Sequence, residues 1–167
     1  AEIDYSYPTE SFVCARCRTG PVHFDRARSL GTYESVFRGL IKFYKHQCQP
    51  GALDEVYPLL VDFFADRTAF YTDFMVVPVP LHVWKLKERG FDQACLLAQE
   101  VARVLRRPLA AGVLERIRPT PTQTRLSRNQ RIENVRGAFR VLTPEEIRGR
   151  SVLLVDDVMT TGATVNE

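Results

Sequence analysis

At 167 residues the chain has the length of one domain with one substantial core. Hydrophobic residues make up 45% and charged residues 26%, ordinary for a globular protein, and the longest apolar runs, 75–79 and 152–155, are far too short to span a bilayer. The net charge of +3 defines no partner by itself, and no charged start leads into a secretory apolar stretch, so no membrane insertion is expected and the cytoplasm is the expected location.

Residues 1–28 hold Pro8, Gly20 and Pro21 without a clear period and read as an N-terminal extension. Tyr33, Val36, Phe37, Leu40, Ile41, Tyr44 and Cys48 recur at helical spacing, which predicts a helix capped by Gly31 or Thr32 and ended by Pro50-Gly51. A second helix is expected over 53–68. The apolar run from Phe74 to Val79, stopped by Pro80, predicts a buried strand. Residues 80–90 read as a loop. Phe91, Ala94, Cys95, Ala98, Val101, Ala102 and Leu105 predict a long amphipathic helix that stops before Pro108.

Strands are expected over 112–116 and 137–142. Between them, 117–136 lacks an apolar period and reads as a long loop, a kind of segment that is usually functional or mobile. Thr143, Pro144 and Glu146 suggest a short helix with a capping box. Ser151, Val152, Leu153, Leu154 and Val155 form the clearest strand. Strands alternating with helices imply an α/β fold with a mainly parallel sheet, whose ligands bind beyond the carboxyl ends of the strands.

Charge and cysteines add two features. Arg116, Arg118, Arg125, Arg128, Arg131, Arg136 and Arg140 are opposed between 116 and 140 only by Glu133. Such an excess suits phosphate or nucleic acid, and equally a solvated surface segment. Cys14 and Cys17 form a lone C-x-x-C, two ligands short of a tetrahedral zinc site, while Cys48 and Cys95 lie in helical sequence and read as core residues.

The strongest constellation comes after the last strand. Asp156 and Asp157 stand at its carboxyl end, succeeded by Thr160, Thr161, Gly162, Ala163 and Thr164. Gly162 permits positive φ, successive N–H groups can form an anion nest, and three hydroxyls add donors, so the loop can cradle a phosphate monoester. The carboxylates can accept from a ribose diol and support Mg²⁺. A capped strand-to-helix turn would use the same residue types.

The string Val152-Leu153-Leu154-Val155-Asp156-Asp157-Val158-Met159-Thr160-Thr161-Gly162-Ala163-Thr164 closely resembles the phosphoribosyl pyrophosphate motif of type I phosphoribosyltransferases. Pro78-Val79-Pro80-Leu81-His82, Arg89-Gly90-Phe91-Asp92-Gln93, Thr122-Gln123, Arg131, Asn134-Val135 and Gly137-Ala138-Phe139 narrow the resemblance to the ComF family. So do Cys14, Cys17 and Gly31-Thr32-Tyr33. The resemblance implies a phosphoribosyltransferase-like domain over 29–167, truncated at its C-terminus, with a zinc-module remnant in 1–28. Only the second cysteine pair of the family's four-cysteine module is matched, so Zn²⁺ on Cys14 and Cys17 would have an incomplete ligand set.

By the same resemblance, Asp156 and Asp157 hold the ribose hydroxyls with Mg²⁺, and the loop Thr160, Thr161, Gly162, Ala163, Thr164 holds the 5′-phosphate. The pyrophosphate would lie over the loop bearing Leu81, His82 and Arg89, with a strained or cis peptide near Leu81-His82. Arg125, Arg128 and Arg131 would reach in from a closing loop. The resemblance implies one of two functions. One is a protein that binds phosphoribosyl pyrophosphate and acts with single-stranded DNA and competence-machinery proteins in natural transformation. The other is an enzyme that transfers a phosphoribosyl group to a nucleobase-like acceptor. Trp84, flanked by Lys85 and Lys87, is the aromatic most expected to be exposed for base stacking.

Overall fold

The computed structural model describes residues 22–47, 55–121 and 127–167. Expectations placed on Cys14, Cys17, Cys48 and Arg125, and on the Arg128 side chain, lie outside the described residues.

Strand β1 (Phe74–Pro78) is buried from Met75 onward, as an apolar run covered on both faces must be. It pairs in parallel with β4 (Ser151–Val155), from Phe74 opposite Ser151 to Pro78 opposite Val155. On its other edge Val76 forms a parallel bridge to Leu109. Its N–H donates to Pro108 O (2.9 Å), and Ala110 N–H donates back to Val76 O (2.8 Å). β1 is therefore central, and its alternation splits the core in two. Val76 packs with Leu60, Phe64, Tyr71, Ala98, Val101 and Leu105, whereas Met75 and Val77 pack with Ala110 and Val113.

The crossover from β1 to Leu109 runs through α3 (Val83–Arg89) and α4 (Gln93–Leu105). In α4, Ala94, Ala98, Val101, Ala102 and Leu105 recur at helical spacing and are buried against β1. The Asp92 side chain caps its start, and Arg106 in the left-handed conformation ends it two residues before Pro108. Helix α2 (Val56–Phe64) covers α4, and a 3-10 turn (Thr68–Tyr71) brings Tyr71 edge-on to Phe64 at 5.3 Å. Helix α1 (Ser35–Gln47) precedes this body. Ahead of α1, His23 N–H donates to Asn166 Oδ1 (2.8 Å) and Arg26 lies over Phe70.

The parallel arrangement holds for β1, β4 and the Leu109 bridge. A second pair, β2 (Leu114–Arg116) and β3 (Phe139–Val141), is antiparallel, because the segment joining them turns back on itself. Helix α5 (Arg128–Val135) lies in that segment, with α6 (Pro144–Ile147) after β3 and α7 (Ala163–Asn166) after β4.

Several expectations are corrected. Residues 80–90 are not a loop throughout: α3 occupies 83–89, invisible to periodicity because it buries no residue. The segment 117–136 contains α5, started by a reciprocal capping box in which Ser127 N–H donates to Gln130 Oε1 (2.8 Å) and Gln130 N–H to Ser127 Oγ. Helix α2 is shorter than 53–68. Thr143 precedes α6 but makes no side-chain cap, and its hydroxyl is buried without a partner among the described residues. No cis peptide occurs among the described residues, so the one expected near Leu81-His82 is absent.

Candidate ligand-binding site

Parallel pairing brings the carboxyl ends of β1 and β4 to one sheet edge. Val79 N–H donates to Val155 O (2.9 Å), so the two chains leave that edge side by side. The turn after β1 (Pro80, Leu81, His82) therefore borders the loop after β4 (residues 156–164), the position at which α/β sheets bind ligands.

Asp156 and Asp157 are half-buried at the end of β4. Asp157 N–H donates to Asp156 Oδ1 (2.8 Å), which orients the first carboxylate. Gly162 has φ +67°, the positive value anticipated from its sequence position, and is buried. This left-handed residue turns the chain into α7. Ala163 N–H makes a long bond to Thr161 Oγ1 (3.4 Å), whereas the N–H groups of Thr161, Gly162 and Thr164 have no partner among the described residues. Asp156 and residues 158–165 line a small, open concavity of about 20 Å³. Open N–H groups around such a hollow are the means by which backbone binds phosphate.

Arg131 reaches this loop from α5: its Nη1 donates to Thr160 Oγ1 (2.8 Å). Helix α5 packs on α7, which places Arg131 beside the loop after β4.

The β1 side differs more from expectation. His82 is buried and caps α3, its Nδ1 accepting from Trp84 N–H (3.3 Å), while its ring lies edge-on to Trp84. Leu81 N–H donates to Asp92 Oδ2 (2.9 Å), so that N–H is not open to a ligand. Arg89 Nη1 donates to Gln93 Oε1 (2.5 Å), binding α3 to α4. Trp84 is 67% exposed, as anticipated.

Sequence reasoning missed two residues. Asp92 holds Leu81 with one carboxylate oxygen and Cys95 N–H with the other (3.1 Å); an Asp just before a helical pattern was the available signal. Asp92→Ala is expected to cost about 1–2 kcal/mol through the lost cap, read as a lower melting temperature; an unchanged midpoint would show the cap to be dispensable. The second is Arg116, the last residue of β2, whose backbone bridges to His82. Burial pushes its guanidinium down from the usual arginine range, the Asp156 carboxylate acts in the opposite direction, and Arg118 adds to the fall. Nothing in its local pattern distinguishes it from the other arginines. Cys95 is no nucleophile candidate: burial, then Asp92, pushes its thiol up.

Metal binding is limited by the donor set. No group of three or more His, Cys, Asp or Glu suited to a metal occurs among the described residues. Two adjacent carboxylates fit Mg²⁺, which takes one or two carboxylates and completes its shell from ligand oxygens and water. No helix among the described residues is long and apolar enough to cross a membrane.

The family described as phosphoribosyl transferase domain matches residues 92–167. The chain is 34% identical to Competence protein F of Haemophilus influenzae over 160 residues, covering 92% of this chain and 69% of that protein. It is 34% identical to DNA utilization protein YhgH of Escherichia coli K12 over 157 residues, covering 92% and 68%. Competence protein ComFC of Bacillus subtilis is 28% identical over 141 residues, covering 83% and 54%. No solved structure gives a significant match.

Proposed function

Because the chain belongs to the ComF (competence protein F) family of phosphoribosyltransferase-fold proteins, we propose that it binds phosphoribosyl pyrophosphate and acts with single-stranded DNA and competence-machinery proteins during DNA uptake, in the cytoplasm. The observation that carries this reading is the concavity beyond β4, where open N–H groups beside Gly162 adjoin the half-buried pair Asp156 and Asp157.

In this reading the 5′-phosphate takes the N–H groups and hydroxyls of 160–164, and the two carboxylates accept from the ribose diol. Mg²⁺, held by Asp156 and Asp157 together with ligand oxygens, would offset the charge of the pyrophosphate. Arg131, one hydrogen bond from Thr160, exchanges that hydroxyl for phosphate oxygen, which it can grip with two parallel N–H donors. Arg131→Gln is expected to weaken phosphoribosyl pyrophosphate binding by about tenfold, measured by calorimetry; unchanged affinity would remove Arg131 from the site.

For nucleic acid, Trp84 offers a stacking face beside Lys85 and Lys87. It is the one tryptophan of the chain, so its emission reports this surface alone. Oligo-dT is expected to quench it, with affinity falling as salt rises. Trp84→Ala should reduce affinity by about fivefold or more, the loss of one stacked base. Emission that ignores saturating oligonucleotide would exclude this surface.

The match to a phosphoribosyl transferase domain favours a second reading, transfer to a nucleobase-like acceptor. Displacement at the anomeric carbon would expel pyrophosphate through an oxocarbenium-like transition state. The chain's part would be to orient the ribose and neutralise the leaving group with basic side chains, without a nucleophilic side chain. Acceptor-dependent pyrophosphate release separates this reading from binding alone.

A further inference from the structure

We propose that occupancy of the ligand site sets how tightly the Trp84 surface holds single-stranded DNA, with His82 as the latch between them. The inference rests on reading the two sites as ones for phosphoribosyl pyrophosphate and single-stranded DNA. Its carrier is α3. This helix buries no residue, so no core contact fixes it and its position is set at its two ends.

The far end is anchored to α4, where Arg89 Nη1 donates to Oε1 of the buried Gln93 (2.5 Å). Gly90 follows with φ +83°, its N–H donating to Leu86 O (2.8 Å), and a Cβ there would meet nothing within 4 Å. A left-handed glycine in open space can absorb a change in helix direction.

The near end is held by His82. Its Nδ1 accepts from Trp84 N–H (3.3 Å), its carbonyl accepts from Leu86 N–H (3.0 Å), and its ring stands edge-on to the indole with centroids 5.4 Å apart. His82 is buried, and its backbone bridges to Arg116 on the other side. It therefore belongs at once to the turn after β1 and to the surface that bears Trp84. Val79 N–H, bonded to Val155 O, sets that turn beside the loop after β4. A ligand on Asp156, Asp157 and 160–164 abuts the turn that carries the latch.

The sign follows from ordering. A base stacked on Trp84 requires α3 to hold one orientation, and a helix without buried contacts loses conformational freedom when it is held. A ligand that fixes the turn removes that cost beforehand, so DNA binds the liganded protein more tightly. By linkage, DNA tightens phosphoribosyl pyrophosphate by the same factor.

The test titrates fluorescein-labelled oligo-dT by anisotropy, in Mg²⁺, with and without saturating phosphoribosyl pyrophosphate. It uses the wild type, His82→Asn and His82→Ala. The wild-type dissociation constant should fall by about fivefold or more when the ligand is present, and calorimetry should show the same factor on the ligand when oligo-dT is present. His82→Ala removes both cap and ring, and its two constants should agree within about twofold. His82→Asn keeps an acceptor for the cap without the ring and should give an intermediate ratio. The ratio is the decisive quantity, because a residue that only supports the fold would weaken binding without changing it. Ligand alone should also shift the emission of Trp84, the one tryptophan, in the wild type and not in His82→Ala. In a wild type that binds both, oligo-dT affinity left unchanged or weakened by the ligand would overturn the coupling alone. So would the wild-type ratio in either variant; if His82→Ala does not fold, His82→Asn decides. A wild type that fails to bind phosphoribosyl pyrophosphate or oligo-dT would overturn the site readings instead.

Discussion

Replacing both carboxylates at the end of β4, Asp156→Asn with Asp157→Asn, should weaken phosphoribosyl pyrophosphate binding by about a hundredfold or more. Each carboxylate is a charged acceptor, and a hydrogen bond to a charged group contributes about 1.5–3 kcal/mol; two together exceed the 1.4 kcal/mol per tenfold by a wide margin. Loss of the Mg²⁺ ligands adds to the effect. Each single variant should fall between the wild type and the pair, and the two losses should not simply add, because Asp156 and Asp157 are adjacent and joined by a hydrogen bond. Titration in Mg²⁺ measures all four proteins. Affinity of the double variant within threefold of the wild type would remove the carboxylates from ligand binding. Folding should survive, because both residues are only half-buried and carry like charges side by side.

The second large effect falls on stability. Phe64 is 5% exposed and meets Phe63 and Tyr71 edge-on at 5.0 and 5.3 Å. It belongs to the cluster that joins α2 and the 3-10 turn to α4 and β1. Phe64→Ala removes a ring that these neighbours cannot fully replace, at a cost of about 3–5 kcal/mol. At about 2–4 °C per kcal/mol for a chain of this size, the melting temperature should fall by roughly 6–20 °C. Phe70, 48% exposed, provides the contrast: Phe70→Ala should move the midpoint far less. Equal shifts would mean that the core is not where burial places it.

The residues most legible in the sequence were those whose environment repeats. The unbroken apolar run of β1 announced a strand covered on both faces, that of β4 announced a strand although only Val155 of it is buried, and Ala94, Ala98, Val101, Ala102 and Leu105 announced the buried face of α4. Gly162 was legible for another reason: a glycine in a tight loop between a strand and a helix invites positive φ, and it has one.

The elements that escaped had no repeating environment. Helix α3 buries nothing, so its side chains carry no period to detect. Helix α5 starts at a capping box and fully buries only Val135, too few apolar positions to make a period. The antiparallel pairing of β2 with β3 depends on where a long segment returns, which local pattern does not encode. Arg116 is the clearest case among the site residues. Its significance lies in neighbours distant in the chain, His82, Phe139 and Asp156, and becomes visible only when three strand ends meet. Leu81 shows the reverse. The resemblance placed Leu81 in the loop under the pyrophosphate, and the fold commits its N–H to Asp92.

The most direct measurement is a crystal structure of the protein with phosphoribosyl pyrophosphate and Mg²⁺. The 5′-phosphate should sit within hydrogen-bonding distance of the N–H groups of Thr161, Gly162 and Thr164, with the ribose diol on Asp156 and Asp157. An empty loop at saturating ligand, or a ligand bound elsewhere on the molecule, would contradict the assignment of this site.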